Sequence, residues 1–368
     1  MDLLSRIALT FTAGIGNNAI RRLVDLYPDE DIFALPPSEL KAAFGSHQKI
    51  IEAVSGKSAF ARAEEELRFC EDNHIRVLFF TDADYPARLN SDETADCPVL
   101  LYCLGTADFN PGRSISVVGT RKATAIGRNN TDRLVRELKT YGPHIVSGLA
   151  YGIDTAAHTA ALEHGLPTVA VLGHGLDRIY PVANRQLAKR IIENGGALVT
   201  EYPSGTAINP RLFPARNRVI AAMSDATLVV EATEKGGALI TAAIACSYHR
   251  DVFAVPGRLD DTYSKGTNNL IATNRALLAR GARDIAFQLG WPIEGEQMAI
   301  GSMRDEEPLT ADERKVVAVL ADNDHLTLDE VATLAGFSLA KAAAALFNLE
   351  LSNRIHTLPG HSYQLSRR

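Results

Sequence analysis

Three short stretches put cations where a helix should begin: Arg121 and Lys122 in "ISVVGTRKATAIGR", Arg216 and Arg218 in "FPARNRVIAAMSD", and Lys235 in "EKGGALITAA". A helix N-terminus is electropositive and favours Asp or Glu in its first turn, so these placements run against the helix dipole. One such cation is usually a solvated charge or an ion-pair partner. Three along one edge of a sheet are better explained by an anion that neutralises them together. Gly119, Gly236 and Gly237 would let backbone N–H groups approach that anion closely, and "SGLAYGID", which begins at Ser147 and Gly148, supplies another turn of small residues.

The anion could be a dinucleotide, a nucleotide or a nucleic-acid backbone. A dinucleotide site wants G-x-G-x-x-G after the first strand and a carboxylate ending the second. Here Gly119 and Gly127 stand too far apart, and the second strand ends at Ser147 and Gly148. No G-x-x-x-x-G-K-[ST], G-x-S-x-G or H-E-x-x-H sequence occurs. His158, His164 and His174 lack metal-ligand spacing and read as core or surface histidines, so no metal and no cofactor is expected. Asp154 begins a helix and reads as its cap, with a role in shaping the site left open. Phe213, Tyr151 and Tyr202 lie near the cations and could stack on bases, although aromatics beside apolar strands are commonly core.

These residues need a scaffold of alternating strands and helices. The runs "VLFF", "PVLLYCLG", "ISVVG", "HIVSG", "PTVAVLG", "GALVTEY", "ATLVVEA" and "DVFAVPG" read as strands. From "ISVVG" onward they are nearly all apolar, as strands covered on both faces are. That pattern predicts an α/β, doubly wound, mostly parallel sheet with ligand sites at the carboxyl ends of its strands. Residues 1–75 look helical and carry the Gly14-Ile15-Gly16 turn of a helix-hairpin-helix (SAM-like) domain, better suited to packing than to DNA because its surroundings are acidic. Residues 76–290 form the expected α/β domain. The polar stretch 291–308 reads as a linker. In 309–368, three helical stretches and the hairpin "RIHTLPGHSYQL" predict a winged helix. Its presumptive reading helix, Ser338 to Leu351, offers only Lys341 as a cation and carries Glu350, which favours partner contact over reading of a DNA groove.

The 368-residue chain is 46% hydrophobic with a net charge of −6, which taken alone argues against a nucleic-acid partner. The average hides opposite fields. Residues 1–104 hold 10 Lys and Arg against 17 Asp and Glu, residues 105–285 hold 21 against 15, and residues 286–368 hold 7 against 12. The four cysteines form no C-x-x-C pair and suit a reducing compartment, and no apolar run suggests a membrane span or a leader; a cytoplasmic protein with no membrane partner is expected.

Taken in order, "SVVGTR", "SGLAYGIDTAAH", "FPARNRVIAAMSD", "LVVEA", "GGALITAAIA", "DVFAVPG" and "SKGTNNLI" resemble the DNA-processing protein A (DprA, or Smf) family. The resemblance implies an extended Rossmann-like domain that binds single-stranded DNA without catalysis, shields incoming DNA during natural transformation, loads the RecA recombinase and forms homodimers. By motif it implies that Gly119, Thr120 and Arg121 hold a backbone phosphate, that Ser147 and Gly148 line the same pocket, and that Arg216, Asn217, Arg218 and Lys235 extend it. The family commonly has Ser or Thr around the glycine after that lysine; here Gly236 and Ala238 leave backbone amides and Lys235 to hold that end. The core is also similar to nucleoside-monophosphate phosphoribohydrolases, which use P-G-G-x-G-T-x-x-E, but Leu239, Ile240 and Ala243 replace the Gly, Thr and Glu of that motif. A winged-helix transcription factor with a ligand-sensing core is a third class, distinguished by preference for one duplex sequence.

Overall fold

The computed structural model describes residues 1–291 and 309–365, apart from 46, 47, 95, 322, 324, 352, 353 and 359–361. Most of the expected linker therefore lies outside the described residues. The chain divides into two compact units, Met1–Pro292 and Ile293–Arg368.

In the first unit, β1 (Arg76–Phe79) and β2 (Leu100–Gly105) are followed by β3 (Ser114–Val118), β4 (His144–Ser147), β5 (Thr168–Val171), β6 (Ala197–Thr200), β7 (Ala226–Val229), β8 (Asp251–Ala254) and β9 (Leu277–Leu278). They form one nine-stranded sheet in the order β1-β2-β6-β5-β4-β3-β7-β8-β9. Only the β1–β2 and β2–β6 pairs are antiparallel. All residues of β3, β5, β6 and β7 are buried, which is why these runs read as continuously apolar. From β3 the chain winds outward through β4 and β5 to β6, then returns to place β7 on the other side of β3. The strand order thus reverses between β3 and β7, and the loops leaving those two strands diverge at the carboxyl edge of the sheet.

Helices cover both faces. After β3 and β4 come α6 (Ala125–Leu138) and α7 (Ile153–His164), packed side by side; α8 (Arg185–Glu193) follows β5. After β6 and β7 come α9 (Leu212–Ala222) and α10 (Gly237–Ser247), also packed together, and α11 (Lys265–Ala272) and α12 (Ala282–Gln288) close the unit.

The N-terminal helices are α1 (Leu3–Phe11), α2 (Asn17–Leu26), α3 (Pro37–Phe44), α4 (Gln48–Ser55) and α5 (Phe60–Asp72). They share one hydrophobic core with β2 and α9, in which Ile7, Leu23, Leu101 and Ile220 are all buried. Gly14, at φ +84°, makes the turn between α1 and α2, and Asn17 beyond it accepts the Val99 N–H at 3.4 Å. That side of the turn faces the sheet, in keeping with a packing role. Glu66 of α5 is 1% exposed and reaches further: it accepts the Ser204 N–H at 2.9 Å and hydroxyl at 2.5 Å, as well as Arg62 at 2.7 Å. The segment between β6 and α9 is thereby fastened to the N-terminal helices.

The second unit contains α13 (Ala311–Ala321), β10 (Leu326–Thr327), α14 (Leu328–Ala335), α15 (Leu339–Leu351), β11 (Ile355–Leu358) and β12 (Ser362–Leu365) around Val316, Val331, Leu346 and Ile355. A Thr327–Glu330 capping box starts α14, and Gly336 ends it in the left-handed region. With the small sheet β10-β12-β11, this is a winged helix. Lys341, the cation of the presumptive reading helix, is held by Asp312 at 2.9 Å and lies 4.6 Å from the Phe337 ring centre.

Candidate nucleic-acid interface

The turn after β3 is built from inside. A Cβ on Gly119 would fall 2.4 Å from Ile153 Cγ1, so only glycine lets the start of α7 close against this strand end. The Thr120 N–H donates to the Glu231 carbonyl at 2.8 Å. The buried Glu231 carboxylate accepts the Thr124 N–H at 3.0 Å and its hydroxyl at 2.5 Å, while Thr124 caps α6 through the Gly127 N–H. With the helix end satisfied internally, Arg121 and Lys122 stand exposed on the loop before it. Arg121 lies 5.5 Å from the centre of the Phe213 ring, whose own neighbour at 5.7 Å is Tyr180, 41% exposed. Together they make a cation beside a two-ring ledge.

Beneath this surface lies the turn after β4. Ser147 is buried and donates its hydroxyl to the Val117 carbonyl at 2.7 Å. Gly148 and Ala150 donate their N–H groups to Asp154 at 3.1 and 3.3 Å. Arg216 enters from α9 and donates to the carbonyls of Gly148, at 2.8 Å, and Val171. A Cβ on Gly148 would sit 2.5 Å from the Arg216 guanidinium and 2.7 Å from Asp154. Burial pulls the Arg216 pKa down to about 10 despite the attraction of Asp154, and burial pushes the Asp154 carboxyl up against the pull of Arg216.

Two expectations are corrected here. Arg216 and Arg218 stand in the middle of α9, not at its start, and neither is a free surface cation. Arg216 is 4% exposed. Arg218 donates to Glu201 at 2.5 Å; burial opposes its charge, but Glu201 together with Cys97 and Asp96 holds its pKa above the ordinary value, while burial raises the Glu201 carboxyl. Both arginines have internal partners: the carbonyls of Gly148 and Val171 with the nearby charge of Asp154 for Arg216, and the Glu201 carboxylate for Arg218. Asn217, half-buried, accepts from Arg216 Nε at 3.2 Å.

Lys235 is exposed, with no hydrogen-bond or ion-pair partner among the described residues. Gly236 caps α10 without a side-chain bond; its own N–H donates to the Thr233 carbonyl at 3.0 Å and the Leu239 N–H to the Gly236 carbonyl at 3.0 Å, which leaves the Gly237 and Ala238 amides at the open end of the helix. The next loop is tied alongside: Ala232 donates its N–H to the Tyr263 carbonyl at 2.8 Å, and Gly266 donates to the Ala232 carbonyl at 2.9 Å. This brings Lys265, also exposed, next to the Lys235 turn. Sequence reasoning did not single out Lys265 or Tyr180, although the Lys-Gly pair of "SKGTNN" repeats that of "EKGG".

A Rossmann-like sheet with exposed cations on loops flanking its strand-order reversal, joined in the same chain to a winged helix, defines the class of protein. Residues 76–290 match the profile of DNA recombination-mediator protein A, and residues 302–361 match the DprA winged helix domain. The chain belongs to the DprA family. It is 32% identical to protein Smf of Synechocystis, covering 97% of each chain, and 34% identical to protein Smf of Escherichia coli, covering 84% of this chain and 83% of that one. Its structure is similar to that of Streptococcus pneumoniae DprA, with TM-score 0.68, 31% identity, and 78% and 99% of the two chains covered. It is also similar to Helicobacter pylori DNA processing protein A, a structure concerned with single-stranded DNA binding, with TM-score 0.52, 30% identity, and 58% and 95% covered.

Proposed function

We propose that the chain binds single-stranded DNA along the carboxyl rim of its sheet, shields incoming strands during transformation and hands them to the RecA recombinase in the cytoplasm, as a binding protein and not an enzyme. The observation that carries the reading is the placement of the exposed cations Arg121, Lys122, Lys235 and Lys265 on loops leaving the carboxyl ends of β3, β7 and β8, with Arg121 beside the Phe213–Tyr180 ledge. Cations grip phosphates and rings stack on bases of any sequence. In this reading Gly119, Thr120, Ser147, Gly148, Arg216, Asn217 and Arg218 shape the floor, Gly236 forms the turn before α10, and Gly237 offers its amide. Leu239 packs against the core, which speaks against a hydrolase-type phosphate loop at that position.

Four phosphate contacts predict a slope of log affinity against log salt of about −3, at about −0.7 per contact. Fluorescence anisotropy should show tighter binding to an unstructured oligothymidine than to duplex. Arg121→Ala or Lys235→Ala should weaken it about five- to ten-fold with a shallower slope by about 0.7. Unchanged affinity and slope in both variants would remove these residues from the interface.

A homodimer is part of the same proposal. Strand β9 is an open edge of the sheet whose Leu277 and Leu278 are 42% and 41% exposed, and Phe287 of the adjoining α12 is 87% exposed. Phe287→Glu should convert a dimer to a monomer in sedimentation experiments; an unaltered dimer would place the interface elsewhere.

A further inference from the structure

Between α6 and α7 runs a groove of about 690 Å³. Arg121, Lys122 and Arg128 line it where the two helices begin, and Asp132 and Glu163 line it further along. From Thr155 to Glu163 on α7 the rise is about 12 Å, the reach of one nucleoside. Arg121 therefore stands at a junction, with the Phe213 ledge on one side and this groove on the other. The exposed ring of Tyr151 lines the groove at its cationic end.

The charges are ordered. A phosphate is drawn to the three cations and repelled from the carboxylates, so a nucleotide lying here must enter base first. Asp132 is already engaged by His164 at 2.8 Å and Arg136 at 3.8 Å. Glu163 is exposed and has no hydrogen-bond or ion-pair partner among the described residues. An ionised carboxylate only accepts hydrogen bonds, and its complement on a base edge is an exocyclic amino group; thymine presents a carbonyl oxygen at the position where cytosine presents that amino group.

We propose that this groove is a base pocket: it takes one nucleobase from a strand whose phosphate rests on Arg121 and Lys122, and Glu163 makes it favour amino-bearing bases over thymine. The proposal rests on the single-strand reading above. The test compares oligocytidine and oligothymidine of equal length by anisotropy at neutral pH, with the wild-type protein and with Glu163→Met, an exposed substitution by another good helix former. Wild type should bind oligocytidine about five-fold tighter, the low end for a good contact to a base edge. The variant should bind both alike, and oligothymidine at least as tightly as wild type does, because a negative charge has gone. Equal binding by wild type, or a preference that survives Glu163→Met, overturns the pocket and leaves the single-strand reading standing. Failure of both oligonucleotides to bind overturns that reading and the pocket with it.

Discussion

Arg216→Met is expected to destabilise the first unit by about 3–5 kcal/mol, the usual cost of removing one partner of a buried charged pair. The guanidinium is the donor to the Gly148 and Val171 carbonyls, and its charge offsets that of the buried Asp154. Methionine fills similar volume but supplies neither. The deficit has a characteristic pH dependence. Asp154 already titrates above its ordinary 3.8 in the folded protein, and loss of Arg216 raises it further. The native variant therefore binds this proton more tightly than the unfolded chain does, so its deficit is full above the raised value and shrinks as pH falls through it. Urea melts of variant and wild type across pH would show this. A phosphate-binding surface arginine would give no such loss, and a variant as stable as wild type would refute the internal role.

Acid should destabilise the protein through His158. This imidazole is fully buried on α7, with Nδ1 2.7 Å from the Thr168 hydroxyl, and burial lowers its pKa from 6.5 to about 3. The Thr168 hydroxyl itself donates to the Ile145 carbonyl at 2.8 Å, so the histidine donates to it through Nδ1–H, while burial with no hydrogen-bond partner for Nε2 among the described residues keeps the ring neutral. The unfolded chain takes up a proton near 6.5 that the folded chain refuses until about 3. The stabilisation is thus whole above 6.5 and lost progressively between those two values, on the order of 4 kcal/mol by the lower end. His158→Gln should flatten this fall relative to wild type, a comparison that cancels the opposite contribution of Asp154. In an NMR titration, one of the ten histidines should remain neutral well below pH 5; a His158 resonance titrating near 6.5 would sink the idea.

The strands of the sheet were legible because burial on both faces leaves apolar runs such as "ISVVG" and "ATLVVEA". The cations at Arg121 and Lys235 were legible too, since each lies on the short loop leading into its helix, α6 from Ala125 and α10 from Gly237. Arg216 and Arg218 were not. Pro214 is compatible with a helical first turn, so α9 begins at Leu212, and the groups that engage the two arginines, Asp154 and Glu201, come from other turns of the chain. Charge at a helix start is a local pattern, whereas the neutralisation of a buried arginine depends on packing across the sheet. Strand β9, at two residues, carries too little pattern to read. Tyr180 joins the ledge only because the loop after β5 folds over toward Phe213.

The bond network around Glu66 ties the acidic helical end to the ring-bearing side of the rim. Because that carboxylate anchors the run leading into Phe213, the N-terminal helices serve as its foundation, and removing them would loosen the footing of the stacking ledge at a distance from any nucleotide. A truncation that lowers affinity would accordingly report lost rigidity as readily as lost contact, and only point changes on the helices' outer surface separate the two.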